Sequence, residues 1–88
     1  MKNHNLRNIV GGNVKYYRFL IGYTQEELAE KTDLSPRYIS DIENARGNIP
    51  IDTIELISNA LKIKPHILFK ERENKELPKR VNMRGKNL

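Results

Sequence analysis

The stretch SPRYISDIEN, Ser35 to Asn44, gathers side chains able to recognise other polar groups: one arginine, two serines, an asparagine and the carboxylates of Asp41 and Glu43. An arginine fork can meet guanine O6 and N7 together, and a carboxylate can accept from a cytosine amino group. No recognisable constellation for covalent or acid–base chemistry stands beside these residues. The only histidines are His4 and His66, and no cysteine, glycine-rich phosphate loop or paired-carboxylate cleft accompanies them. No catalytic residue, no metal-ligand set and no cofactor site is therefore expected, and the protein is not expected to be an enzyme.

The elements that carry these residues decide which way they point. On a helical wheel with Ile39 at zero, Ile42 falls at about 300° and Glu43 at about 40°, on and beside the apolar side. Arg37, Ser40, Asp41 and Asn44 lie between about 100° and 200°, on the opposite side. The two acids thus need separate explanations. A carboxylate beside a core is costly unless it is paired. Arg18, next to the apolar stripe of the first helix, has a planar fork that can meet Glu43 bidentately. An Arg18–Glu43 ion pair is one reading, and two ordinary surface charges are the other. Asp41 either accepts from a base or orients Arg37, four residues earlier.

Helix signals recur along the chain. Val10, Val14, Tyr17 and Ile21, with Leu6 one turn earlier, form one apolar stripe that Gly22 ends. Gly11 and Gly12 weaken this helix locally, through fraying or through close packing on a neighbour. Thr24 with Glu27 three residues on is a capping box, so a second helix begins there with Leu28 and Ala29 inward and Glu26 and Glu30 outward. Asp33 suits the left-handed residue of a tight turn. Ser35 then Pro36 repeats the start signal. After the loop NARGNIP, Ile51, Ile54, Ile57 and Leu61 form the stripe of a fourth helix, and Pro65 opens a short fifth, PHILF. No strand and no internal repeat is expected.

Length and charge bound the rest. Eighty-eight residues accommodate one small domain. Residues 1–69 carry nine Lys/Arg and eight Asp/Glu, whereas residues 70–88 carry seven and three, so most of the net +5 sits in the tail. Net charge alone therefore says little about partners. The tail reads as an extension of the last helix followed, past Pro78, by a flexible basic end; an oligomerisation element and a phosphate-contacting arm are the alternatives. With no apolar run of spanning length, no signal-peptide core and no cysteine, a soluble cytoplasmic protein without membrane contact is expected.

Taken with these signals, GYTQEELAEKTDLSPRYISDIENARGNIPIDTIELISNAL resembles the core of the lambda-repressor-like, or Xre-type, helix-turn-helix DNA-binding family. The TQEELA helix, the S-x-x-I-S-x-I-E helix, the N-x-R-x-x-P loop and Arg18 four residues before Gly22 coincide. The resemblance implies an all-α, five-helix domain over residues 8–69, between an N-terminal arm at 1–7 and the tail at 70–88. It also implies sequence-specific binding to double-stranded DNA by a transcriptional regulator, commonly a homodimer on an inverted repeat. By position, Pro36, Arg37, Ser40 and Asp41 would face base edges. Thr24, Gln25, Ser35, Tyr38, Asn44, Arg46 and Asn48 would contact phosphates, with Arg46 weakening all sequences alike when removed. The positions of Arg18 and Glu43 match a pair that is bridged internally in relatives. The brevity of the chain and the lack of a small-molecule ligand domain suggest a phage-repressor, mobile-element or restriction–modification controller type. An antitoxin or adaptor whose main partner is a protein is the alternative.

Three departures from the family pattern bear on the site. Pro36 replaces a side chain that often hydrogen-bonds, which shifts base reading towards Arg37 and Asp41. Asp33 stands where glycine is common. Tyr16, Phe19 and Leu20 lie off the core stripe of the first helix, where they form either an interface or a surface packed under the tail.

Overall fold

The computed structural model describes residues 5–73 and 76–79. Among these, four α-helices are followed by one 3-10 helix, with no strand: α1 (Leu6–Ile21), α2 (Gln25–Thr32), α3 (Pro36–Glu43), α4 (Ile51–Leu61) and the 3-10 segment Pro65–Phe69. The fifth helix expected at PHILF is therefore not α-helical. Proline at its first position suits either helix type, and five residues are too few to settle into α geometry.

Local chemistry sets the boundaries. Asn5 caps α1 by accepting from the Arg7 N–H, and Gly22 ends it with φ 91°. Thr24 and Glu27 form the reciprocal capping box of α2, and Asp33 closes that helix in the left-handed region at φ 60°. Ser35 accepts from the Tyr38 N–H at the head of α3, with Pro36 at the first helical position. The first helix begins at Leu6, two residues inside the segment expected to be an arm, while residues 1–4 lie outside the described residues. After the 3-10 segment, Lys70–Glu73 is not helical, so the expected extension of the last helix is absent there. The tail from Arg80 onward also lies outside the described residues.

The core is made by Val10, Val14, Leu28, Ala29, Ile39, Ile42, Ile54, Ile57, Leu61 and Leu68. It is closed by packing of α1 on α3 and on the 3-10 segment, and of α2 on α3 and α4. Of the residues expected in it, Tyr17 and Ile21 are partly buried against it, and two more lie outside it. Ile51 is 81 % exposed and Leu6 is also exposed. Each is the first residue of its helix, and on the wheel Ile51 lies about 90° from the mean direction of Ile54, Ile57 and Leu61. Thr53 and Ser58 are buried instead.

Gly11 explains how α1 approaches α3. A Cβ there would fall 2.3 Å from the Ile42 carbonyl oxygen and 3.1 Å from that of Glu43, so only glycine allows the two backbones to touch. Gly12 faces open space. Of the two outcomes expected for this pair, close packing holds at Gly11, and α1 runs unbroken through both.

Candidate nucleic-acid interface

The inner side of α3 is tied down by Glu43. Arg18 donates from Nε to Glu43 Oε2 at 2.6 Å and from Nη2 to Oε1 at 2.9 Å. The two side chains are 6 % and 2 % exposed. Arg18 Nη1 also donates to the Tyr23 carbonyl at 3.0 Å, and Gln25 Nε2 donates to Glu43 Oε1 at 3.0 Å. One carboxylate thereby joins α1, the α1–α2 turn, the first residue of α2 and the end of α3. A buried charge with its lone pairs taken this fully is compensated, and it fixes the angle at which α3 is presented.

The outer side of α3 is solvent-facing. Arg37 is 86 % exposed, and its Nε lies 3.6 Å from Asp41 Oδ1. Arg46, 58 % exposed, places Nη1 3.7 Å from the same oxygen, while Asp41 itself is only 29 % exposed. Pro36 is exposed and Ser40 half-buried on this side. Asn44 folds back, donating to the Ser40 carbonyl at 2.9 Å and to its hydroxyl at 3.4 Å.

The residues expected to contact phosphates are arranged less uniformly. Thr24 and Ser35 use their hydroxyl oxygens as caps, which leaves each O–H still able to donate. Gln25 is turned to Glu43, so the amide expected at a phosphate belongs to the internal strut in this state. Tyr38 is half-buried and packs on the core. Asn48 does not join Arg46: its Oδ1 accepts from Arg7 Nη2 at 2.8 Å, linking the loop after α3 to the first turn of α1.

Two residues on or near this scaffold were not singled out by the sequence. One is Arg7, whose partner is 41 positions away. The other is Asn13, 2 % exposed, which donates to the carbonyls of Leu68 and Lys70 at 2.8 Å each and accepts from Arg72 Nε at 2.8 Å. Three weak helix formers in a row, Gly11, Gly12 and Asn13, were the available signal that this part of α1 serves contacts rather than helix propensity. Arg72 also lies 4.0 Å from the Tyr16 ring centroid, and Arg18 lies 5.0 Å from that of Phe19. Tyr16 therefore packs under the segment after the 3-10 helix, whereas Leu20 stays exposed.

Among the described residues, no group of three or more His, Cys, Asp or Glu side chains is placed to hold a metal ion. Nor is any helix long and apolar enough to cross a membrane.

Two capped helices joined by a tight turn, the second strutted from behind and polar in front, define a helix-turn-helix DNA-binding domain. A helix-turn-helix family model matches residues 14–68, and the chain belongs to that family of DNA-binding transcriptional regulators. It is 41 % identical over 67 residues to the control protein C.BamHI of Bacillus amyloliquefaciens, covering 75 % of this chain and 83 % of that one. It is 33 % identical over 81 residues to the transcriptional regulator SinR of Bacillus licheniformis, covering 91 % and 73 %. The crystal structure of the hypothetical transcription factor NHTF from Neisseria superposes with a TM-score of 0.74 at 33 % identity, covering 76 % of this chain and 77 % of that one. These relatives are regulators rather than enzymes and do not favour an antitoxin or adaptor.

Proposed function

We propose that this chain is a cytoplasmic homodimer that sets α3 of each subunit into successive major grooves of a short inverted repeat, with half-sites about one helical turn apart. The observation that carries this reading is the outer face of α3, with the arginine fork of Arg37 in solvent above a rigidly held helix. On this face Arg37 meets guanine O6 and N7, Asp41 accepts from a cytosine amino group or steadies Arg37, and Pro36 and Ser40 complete the surface. Phosphates are held by Thr24, Ser35, Tyr38, Asn44, Arg46 and Asn48, and by Gln25 once it exchanges Glu43 for the backbone. The first-turn N–H groups of α2 and α3 favour anions in the same place.

An apolar groove supports the dimer. Leu6, Val10, Ile49, Ile51, Ile54 and Phe69, together with the Arg7–Asn48 pair, line an open depression of about 390 Å³, with Leu6, Ile51 and Phe69 exposed. Its residues belong to α1, α4, the loop before α4 and the 3-10 segment.

Selection of bound duplexes from a random pool tests the reading. An enriched two-fold symmetric motif is expected, with half-site centres about 10–10.5 base pairs apart and an affinity that falls steeply with salt. A pool that stays random after selection would sink it.

A further inference from the structure

The loop after α3 turns back onto the helix it leaves. Ala45 adopts φ 61°, a left-handed conformation that residues with a Cβ rarely take. The Ala45 N–H donates to the Ile42 carbonyl at 3.0 Å, and the Arg46 N–H to the Asp41 carbonyl at 2.8 Å. Together these form a Schellman closure with alanine where glycine is usual. The closure sets Arg46 directly over Asp41, so a single carboxylate oxygen lies 3.6 Å from Arg37 and 3.7 Å from Arg46. The acid is the least exposed of the three, on the last turn of α3, and the two arginines are its more exposed partners.

We propose that Arg46 is a positioning residue for base reading, acting on Arg37 through the carboxylate of Asp41 that the two arginines share. This rests on the reading of α3 as the helix that enters the groove. Exposed pairs of this kind add little stability to a free protein. Against DNA the balance differs, because Asp41 is a negative charge brought towards a polyanion. With both arginines in place the cluster carries one net positive charge, and Arg37 can leave Asp41 for a base while Arg46 still offsets the acid. Without Arg46, Asp41 has Arg37 as its remaining partner in this cluster, and the fork is drawn along the helix, away from the base edge. The loop cation then decides how freely the reading cation works, and its loss is not uniform over sequences.

Four forms of the purified full chain test this: the unaltered protein, Arg46→Gln, Asp41→Asn and the double variant. Selection with the unaltered protein supplies the preferred duplex. Affinities are then measured for that duplex and its three single-base-pair variants at the position where Arg37→Ala loses discrimination. Arg46→Gln is expected to reduce discrimination at that position by about three- to tenfold, beyond its common loss of affinity. In the Asp41→Asn background the same substitution is expected to lower all four affinities by one factor. If Arg46→Gln lowers all four equally with Asp41 present, Arg46 is a plain phosphate contact and the coupling is wrong. A pool in which the unaltered protein enriches nothing overturns base reading itself, and the coupling with it.

Discussion

Arg18 of α1 and Glu43 of α3, 25 residues apart in the chain, meet through two hydrogen bonds of 2.6 and 2.9 Å with almost no exposure of either side chain. Removing one member strands the other as a buried charge, which costs about 3–5 kcal/mol. Arg18→Ala and Glu43→Ala are each expected to lower the melting temperature by more than about 12 °C, at about 4–8 °C per kcal/mol for a domain of this size. The double substitution Arg18→Met, Glu43→Leu should melt above either single variant, because no charge is left behind. A change of less than about two degrees in Arg18→Ala would mean that the carboxylate is solvated in solution.

The two adjacent glycines of α1 should respond in opposite directions. Gly11→Ala forces a methyl to within 2.3 Å of the Ile42 carbonyl oxygen, so α1 and α3 must separate. A loss of about 1–3 kcal/mol follows from overpacking of this kind. At Gly12 the added methyl meets nothing within 4 Å, and alanine is the better helix former by about 0.5–1 kcal/mol. Urea denaturation of the two variants checks this, and equal effects would contradict the close approach.

What could be read from the sequence depended on the range of the interaction. Caps are local: Thr24 with Glu27, Ser35 with Pro36, and Gly22 each act within a few residues, so three helix boundaries were legible. The placement of Glu43 beside the core was legible too, because a wheel needs only one helix. Asn13 was not, since its carbonyl partners lie 55 and 57 positions away and no periodicity marks them. Gln25 and Asn48 stand at positions that suggest phosphate contacts, yet their present partners, Glu43 and Arg7, come from distant turns of chain. Ile51 is expected on the apolar stripe and still lies outside the core, because it is the first residue of α4 and about 90° from the mean direction of Ile54, Ile57 and Leu61. The exposed outer face of α3 follows from the wheel alone, whereas the return of Arg46 onto Asp41 depends on the backbone at Ala45.

Arg37→Ala isolates base reading from backbone contact. The fork is solvent-facing and takes no part in the core, so stability should be unchanged within about 0.5 kcal/mol. Discrimination at one base position should fall by about 1–3 kcal/mol. Binding titrations against single-base operator variants measure it, and equal losses on every variant would reject direct reading by this residue.

Asn13 is the residue through which the end of the domain is fastened to α1. Its amide donates to two carbonyls that flank the exit from the 3-10 segment, and its oxygen accepts from Arg72, which in turn covers Tyr16. Asn13→Ala leaves those carbonyls without this donor in a nearly closed site, and a loss of about 1–3 kcal/mol is expected. Asn13→Asp should be worse: a carboxylate still accepts from Arg72 but has no N–H for Leu68 or Lys70, and it sets a negative charge against their oxygens. The packing predicts where the damage appears. Leu68 is fully buried and helps close the core, so amide hydrogen exchange should accelerate from Ile67 to Arg72. Exchange at Ile39 and Ile42, on α3 and packed by α1 and α2, should change far less. Uniform acceleration along the whole chain would show instead that Asn13 supports the global fold and is no separate fastening.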